Sequence, residues 1–363
     1  MTDPSGPQAD MPDRDDGLVY VMPGDLDLAV KVALAAGRPL LLRGKPGSGK
    51  SSMAPWVARE KQWRYYDFVV TSQTRARDLQ WTFDGVRRLA DAQGNALLDP
   101  DAYVEPGPLW WAFAPRSAAA HVRAGRRRRG EAPSDGTDGT DGTADADPAA
   151  AAAGAGAGAA AGAAAAAAAA DTGGYRHPQE LRNAGRSPGH AVVLIDEIDK
   201  ADPDVPNGLL VPLASRGFTV AESGTRVEIE TAGDAARERP FHRHLVVITT
   251  NEERELPQAF LRRCVIAELT PPTSVEDLVR IAERHLTARL GEAVPADLAL
   301  AEALAKELGD VREDARRHNI RPPSTAEYLD ALWACRSLGI GVQSEQWDAV
   351  RGLTLLKPQH LRD

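Results

Sequence analysis

Hydrophobic positions along the chain fall into two regimes. Between residues 39 and 251 they gather in short continuous runs: Pro39-Leu40-Leu41-Leu42, then Tyr65, Phe68, Val69 and Val70 within Arg64–Thr71, then Ala191–Ile195 and His244–Thr250. Runs of this length predict strands buried on both faces, as in a parallel sheet covered by its crossover helices. Leu26, Leu28, Ala29, Ala33 and Leu34 recur at helical spacing within Asp25–Ala36 and predict a short helix bracing the first strand; another is predicted from Lys50. Beyond Pro271 the period changes to 3.6. Thr273 and Glu276 form a capping box ahead of a stripe of Val275, Leu278, Val279, Ala282 and Leu286 that stops at Gly291. Ser324 and Glu327 repeat the device before Leu329, Leu332 and Trp333. The fold class predicted is therefore α/β: a parallel sheet flanked by helices over 18–272, followed by a helical domain over 273–363.

The polar residues that interrupt these runs carry the chemistry. Directly after the first strand the chain reads Gly44-Lys45-Pro46-Gly47-Ser48-Gly49-Lys50-Ser51, with Ser52 next, which fits G-x-x-x-x-G-K-[ST] between a strand and a helix. Glycines let backbone N–H groups turn inward around a phosphate chain, Lys50 neutralises the outer phosphates, and the Ser51 hydroxyl suits Mg²⁺. The dipole of the following helix points at the same charge. The run Ala191–Ile195 ends in Asp196 and Glu197, which suits one carboxylate for the metal and the next for polarising an attacking water. His244–Asn251 repeats the design with an amide at its tip; Asn251 would orient that water or touch the γ-phosphate. Eleven and twelve residues later stand Arg262 and Arg263, suited to act as fingers on a neighbouring molecule's γ-phosphate.

With these residues in order, the chain resembles the AAA+ ATPases, and among them the MoxR-like group and its dynein-related relatives, over most of residues 18–340. GKPGSGKS matches Walker A, VVLIDEID Walker B, Asn251 sensor 1, and LPQAFLRRC the arginine-finger segment; GLLVPLASRGFTV after Walker B and a hairpin before sensor 1 extend the likeness. The resemblance implies a P-loop α/β core, a helical lid, ATP with Mg²⁺ at subunit boundaries, and a homo-oligomeric ring, usually a hexamer. It also implies a protein client, such as a partner with a von Willebrand factor A domain, remodelled in chaperone-like fashion. One position departs from the pattern: where a sensor 2 arginine is usual, the chain has Thr325, with Arg321 in the preceding turn as the available substitute. Two other readings share the motifs: a nucleic-acid-directed or restriction-type NTPase, and a nucleotide switch that does not hydrolyse.

Composition then narrows the picture. With 43 basic and 52 acidic residues the formal charge is -9, which disfavours general attraction to nucleic acid. Arg126–Arg129 is a local exception, read either as a binding patch or as a solvated loop. Cys264 and Cys335 are too few for a disulfide framework and are expected to be buried thiols. The acidic amino terminus lacks a secretion pattern and no stretch reads as a membrane span, so the expected location is cytoplasmic. Residues 1–17 are expected to be a disordered tail. Residues 125–189, rich in Asp-Gly-Thr, alanine and glycine, are expected to be a disordered insertion, because they bury too little apolar surface to offset ordering entropy. Trp110 and Trp111 just before it either grip a partner or anchor its root.

Overall fold

The computed structural model describes residues 17–128, 177–230, 243–318, 320–342 and 344–355. Helix α1 (Gly24–Ala36) precedes β1 (Leu40–Arg43), and α2 (Lys50–Glu60) connects it to β2 (Trp63–Val69). Strands β3 (Trp81–Phe83) and β4 (Val104–Pro106) pair antiparallel around α3 (Gly85–Gln93) and lead into α4 (Pro108–Phe113) and α5 (Pro115–Arg128). Then come α6 (Pro178–Arg182), β5 (Ser187–Asp196), α7 (Asp204–Gly208), α8 (Leu210–Ser215) and the hairpin β6 (Gly217–Thr219) and β7 (Arg226–Glu228). Strand β8 (His244–Thr250), α9 (Gln258–Leu261) and β9 (Val265–Glu268) complete the sheet domain. Helices α10 (Val275–Leu290), α11 (Pro295–Arg317), α12 (Thr325–Leu338) and α13 (Trp347–Thr354) form the lid.

The main sheet has the order β2-β5-β8-β1-β9, and every pair in it is parallel. Successive residues of each strand serve opposite faces, as the pleat requires. Leu41, Val193, Ile195, Val246 and Ile248 pack into a core with α4 and the β6–β7 hairpin. Leu40, Leu42, Val192, Leu194, Leu245 and Val247 pack into another with α1 and α2. This two-sided burial is why the strands read as unbroken apolar runs. The lid has its own core, built from Leu278, Leu286, Leu304, Leu308, Tyr328 and Leu332 among others.

Several sequence expectations shift in detail. In α1 the inward residues are Leu26, Val30 and Ala33, while Leu28 is exposed. The cap of α10 is Ser274, not Thr273: its hydroxyl accepts from Asp277 N at 3.0 Å and donates to Asp277 Oδ2 at 2.8 Å. Starting one residue later places Glu276 and Asp277 in the first turn, against the positive end of the helix dipole. The capping box of Ser324 and Glu327 forms as read.

Residues 129–176 of the expected insertion, and 1–16 of the expected tail, lie outside the described residues. The described flanks of the insertion have regular structure, unlike the expectation for 125–189. Helix α5 continues to Arg128, and 177–189 supplies α6 and the start of β5. The reason is side-chain pairing with an otherwise open sheet edge. Asn183 pairs with both backbone groups of Tyr65 in β2, accepting from its N at 2.7 Å and donating to its O at 3.1 Å, and Arg186 donates to Trp63 O at 3.0 Å. The two flanks are also tied together: Arg123 bonds Glu180 at 2.9 Å, and Trp111 stacks on His177 with ring centres 4.8 Å apart. Trp110 and Trp111 are both buried, and Trp110 donates to Ser117 Oγ at 3.2 Å. They anchor the chain leading into α5 to the core. Trp110→Ala should therefore cost about 3–5 kcal/mol, the usual range for a large core aromatic, read as a lower urea midpoint.

Candidate functional site

Because the sheet is parallel, the carboxyl ends of β1, β5 and β8 open onto one edge. Strand β8 lies between the other two, so the residues following it sit between the glycine loop and the paired acids. The loop turns through left-handed backbone at Gly47 (φ 75°) and Gly49 (φ 87°), conformations that side chains disfavour. Space excludes side chains as well: a Cβ on Gly44 would lie 2.4 Å from Leu269 O, and one on Gly47 would lie 2.4 Å from Ser324 Cβ. Lys45, Pro46 and Gly47 form the exposed crest, Ser48 is buried, and Gly44, Gly49, Ser51 and Ser52 are half-buried. Helix α2 starts at Lys50 with no side-chain cap, which leaves its first N–H groups facing the loop. Ser48 Oγ is buried without a hydrogen-bond partner among the described residues. An uncapped helix start, an unpaired hydroxyl and a bare glycine backbone together fit an anionic phosphate chain.

Lys50 is 6% exposed, and all three of its ammonium hydrogens have acceptors: Gly44 O at 2.6 Å, Lys45 O at 3.0 Å and Asn251 Oδ1 at 2.9 Å. Burial lowers its pKa, opposed by the negative charges of Asp196, Asp199, Glu197 and Glu252. The bond to Lys50 fixes the orientation of the Asn251 amide, whose Nδ2 then donates to Glu197 Oε1 at 3.3 Å. Ser51 Oγ donates to Asp196 Oδ1 at 2.8 Å. A hydroxyl and a carboxylate oxygen converging in this way form a hard-oxygen pair suited to Mg²⁺. The structure thus brings Lys50, Ser51, Asp196, Glu197 and Asn251 to one place, although they are widely spaced along the chain.

Three residues overlooked in the sequence complete the cluster. Thr249 Oγ1 donates to Asp196 Oδ1 at 2.5 Å and accepts from Glu197 N at 2.8 Å, so one hydroxyl sets both acids. Asp199 is buried, and its Oδ2 accepts from Asn251 N at 3.1 Å and Glu253 N at 2.9 Å, tying the tip of β8 to the turn after β5. Lys200 Nζ donates to Glu197 Oε2 at 2.6 Å. The available signals were a polar threonine ending an apolar strand and a third acid in the Asp-Glu-Ile-Asp-Lys sequence. Glu197 itself adopts left-handed backbone (φ 60°), which turns its side chain away from the strand direction.

Arg262 and Arg263 are not in this cluster. They precede β9, whose first residue, Val265, pairs with Leu40 at the start of β1, whereas the glycine loop follows Arg43 at the other end. Four strand residues separate the two levels by about 13 Å. Both arginines are exposed. Arg263 donates to Ala259 O at 2.9 Å and lines a cavity of about 200 Å³ with Gly37, Leu213, Phe260 and Cys264. Cys264 and Cys335 are both buried free thiols, and burial pushes the Cys264 thiol up to about 12. Arg321 is exposed and lies 3.9 Å from Glu327. Thr325, at the start of α12, is buried, and its Oγ1 has no partner among the described residues.

The fold is a parallel α/β sheet domain followed by a helical lid, with a glycine loop, a lysine and paired acids gathered at one edge of the sheet. Residues 166–264, which carry β5, the β6–β7 hairpin, β8, Asn251 and both arginines, match the family model described as AAA domain (dynein-related subfamily). No curated protein matches the chain. Among solved structures, the chain is similar to NtrX from Brucella abortus in complex with ADP, at 10% identity and a TM-score of 0.44, covering 95% of this chain and 58% of that one. A putative ATPase from Cytophaga hutchinsonii is similar at 12% identity and a TM-score of 0.38, covering 93% and 83%. The chain thus spans a little over half the length of the NtrX structure. At these scores the likeness assigns no chemistry. Among the described residues no helix is long and apolar enough to cross a membrane.

Thr249→Val should lower stability by about 1–3 kcal/mol in urea unfolding, because it strands the Glu197 N–H and removes a donor from Asp196. Thr249→Ser, which keeps the hydroxyl, should recover most of the loss.

Proposed function

We propose that this protein binds ATP with Mg²⁺ and hydrolyses it at the boundary between two copies of the chain, and that the resulting motion remodels a protein partner in the manner of MoxR-like ATPases. The observation that carries the reading is the bonded series Lys50–Asn251–Glu197 beside the Ser51–Asp196 pair. Lys50, the N–H groups of Gly47–Ser52 and the start of α2 would hold the triphosphate. Ser51 and Asp196 would hold Mg²⁺, which neutralises charge on the phosphate oxygens when bound. Glu197 would take the proton from the attacking water, and Asn251, anchored through its backbone by Asp199, would position that water.

Placement of the arginines supports a trans role. Arg262 and Arg263 lie at the opposite end of the sheet from their own glycine loop, so within one chain they have no route to its phosphates. Presented outward, they suit a neighbour's γ-phosphate, which makes assembly a condition of turnover and favours a closed ring, expected to be a hexamer. The acidic charge supports a protein client over nucleic acid, with a von Willebrand factor A-type partner as the family expectation and the cytoplasm as the compartment.

Phosphate release and nucleotide binding test the reading together. Lys50→Ala should lose both, whereas Glu197→Gln should bind ATP and lose turnover by about 10²-fold or more. Equal, negligible turnover in wild type and both variants would favour a non-hydrolysing switch, and stimulation by DNA or RNA would favour a nucleic-acid motor. The doubly substituted Arg262→Ala/Arg263→Ala protein should bind ATP yet turn over roughly 10³-fold more slowly. Mixing it with Glu197→Gln should restore part of the activity, because the Glu197→Gln chain supplies the arginines to a neighbouring site whose Glu197 is intact. Failure of that rescue would sink the trans assignment.

A further inference from the structure

The lid meets the glycine loop at Gly47. Ser324, the cap of α12, lies against Gly47 so closely that a single added carbon would clash with its Cβ and Oγ. What holds Ser324 there is not its own helix alone. The residue before it, Pro323, gives its carbonyl to Arg312 Nε at 2.9 Å, and the same guanidinium donates through Nη1 to Pro272 O at 2.7 Å. Pro272 belongs to the short connection between β9 and α10, by which the lid hangs from the sheet domain. Just upstream, Leu269 O presses against Gly44 at the other end of the glycine loop. One side chain on α11 therefore fastens both segments that bracket the loop.

Arg312 is 6% exposed, and its Nη2 is buried without a partner among the described residues. A charged group in such a place is costly unless its geometry is used. Prolines at both acceptor positions sharpen the point. Pro272 and Pro323 both lie outside helices and strands, so neither carbonyl is committed to a regular ladder, and a planar fork of donors can reach both at once.

We propose that Arg312 is a positioning residue that sets α12 over the phosphate loop, so that the nucleotide's occupancy of the loop and the position of the lid are coupled through it. In this chain the first position of α12 is Thr325, a short side chain with no charge. The lid's link to the loop therefore runs through backbone held by a buried arginine, instead of through a cation extended from α12. The proposal rests on the nucleotide reading above.

The full-length protein, Mg²⁺ and ADP provide the test, read by hydrogen exchange of the backbone and by ADP titration. In wild type, ADP should protect both residues 44–52 and residues 322–330. In Arg312→Met, of similar length, saturating ADP should still protect 44–52, while the added protection of 322–330 is lost and ADP binds roughly tenfold more weakly, a change of about 1.4 kcal/mol. Arg312→Lys, which keeps the charge without the fork, should behave like the methionine variant. Wild-type protection of 322–330 in both variants would overturn the clamp. So would loss of protection throughout α10–α12 without nucleotide, which would mark a residue needed only for folding. If Lys50→Ala binds ADP as wild type does, the nucleotide reading itself fails and the clamp with it, an outcome distinguishable from failure of the clamp alone.

Discussion

The rest of the site depends on where the Lys50 ammonium is held. Its three hydrogens are spent on two carbonyls of its own loop and on the amide of Asn251, in a place where burial works against its charge. Neutral acceptors surround the ion and the carboxylates stand one bond further out. An incoming phosphate chain would exchange weak partners for a strong one, and the same exchange would free Asn251 from the lysine. The amide is the junction because it accepts from the lysine and donates to Glu197.

That junction requires β8 to lie between β1 and β5. The insertion of one strand between the glycine loop and the paired acids leaves room for a third element, and Thr249 and Asn251 fill it. Thr249 orients Asp196 and the Glu197 backbone together, and Asp199 returns from the other side to hold the Asn251 backbone. Thr249 thus fixes Asp196 and the Glu197 backbone from an adjacent strand, so sheet register joins the local turn after β5 in setting their geometry. On the opposite face the same sheet buries Trp110, Trp111 and Arg64, whose bonds to Trp111 O and Ala112 O pin α4 beneath β2. The residues on either side of 129–176 are bonded to each other and to that base, so the interrupted core remains continuous.

The strands β1, β2, β5 and β8 and the lid helices α10 and α12 were legible in the sequence because burial on two faces, or on one stripe, leaves a periodic record in residue type. The glycine loop and the acid pair were legible because each lies within a few consecutive residues. Misreadings occurred where a decision depended on distant partners. Thr273 and Ser274 are chemically equivalent as caps, and the choice went to the residue that lets Asp277 close the turn. The stretch 177–189 looks too polar to fold, yet Asn183 and Arg186 replace the strand that β2 lacks at its edge.

Sequence by itself determined the α/β class, the glycine loop, the carboxylate-tipped strand and the helical period after Pro271, since these depend on short-range spacing and on sterics at glycine and proline. Only the tertiary structure decided which residues share the site. It placed Thr249 and Asp199 in it, set Arg262 and Arg263 at the far end of the sheet, and brought Arg312 to the two prolines that frame the loop. Strand order and helix packing join groups that lie far beyond one another's local reach along the backbone, and no local pattern of side chains encodes that meeting.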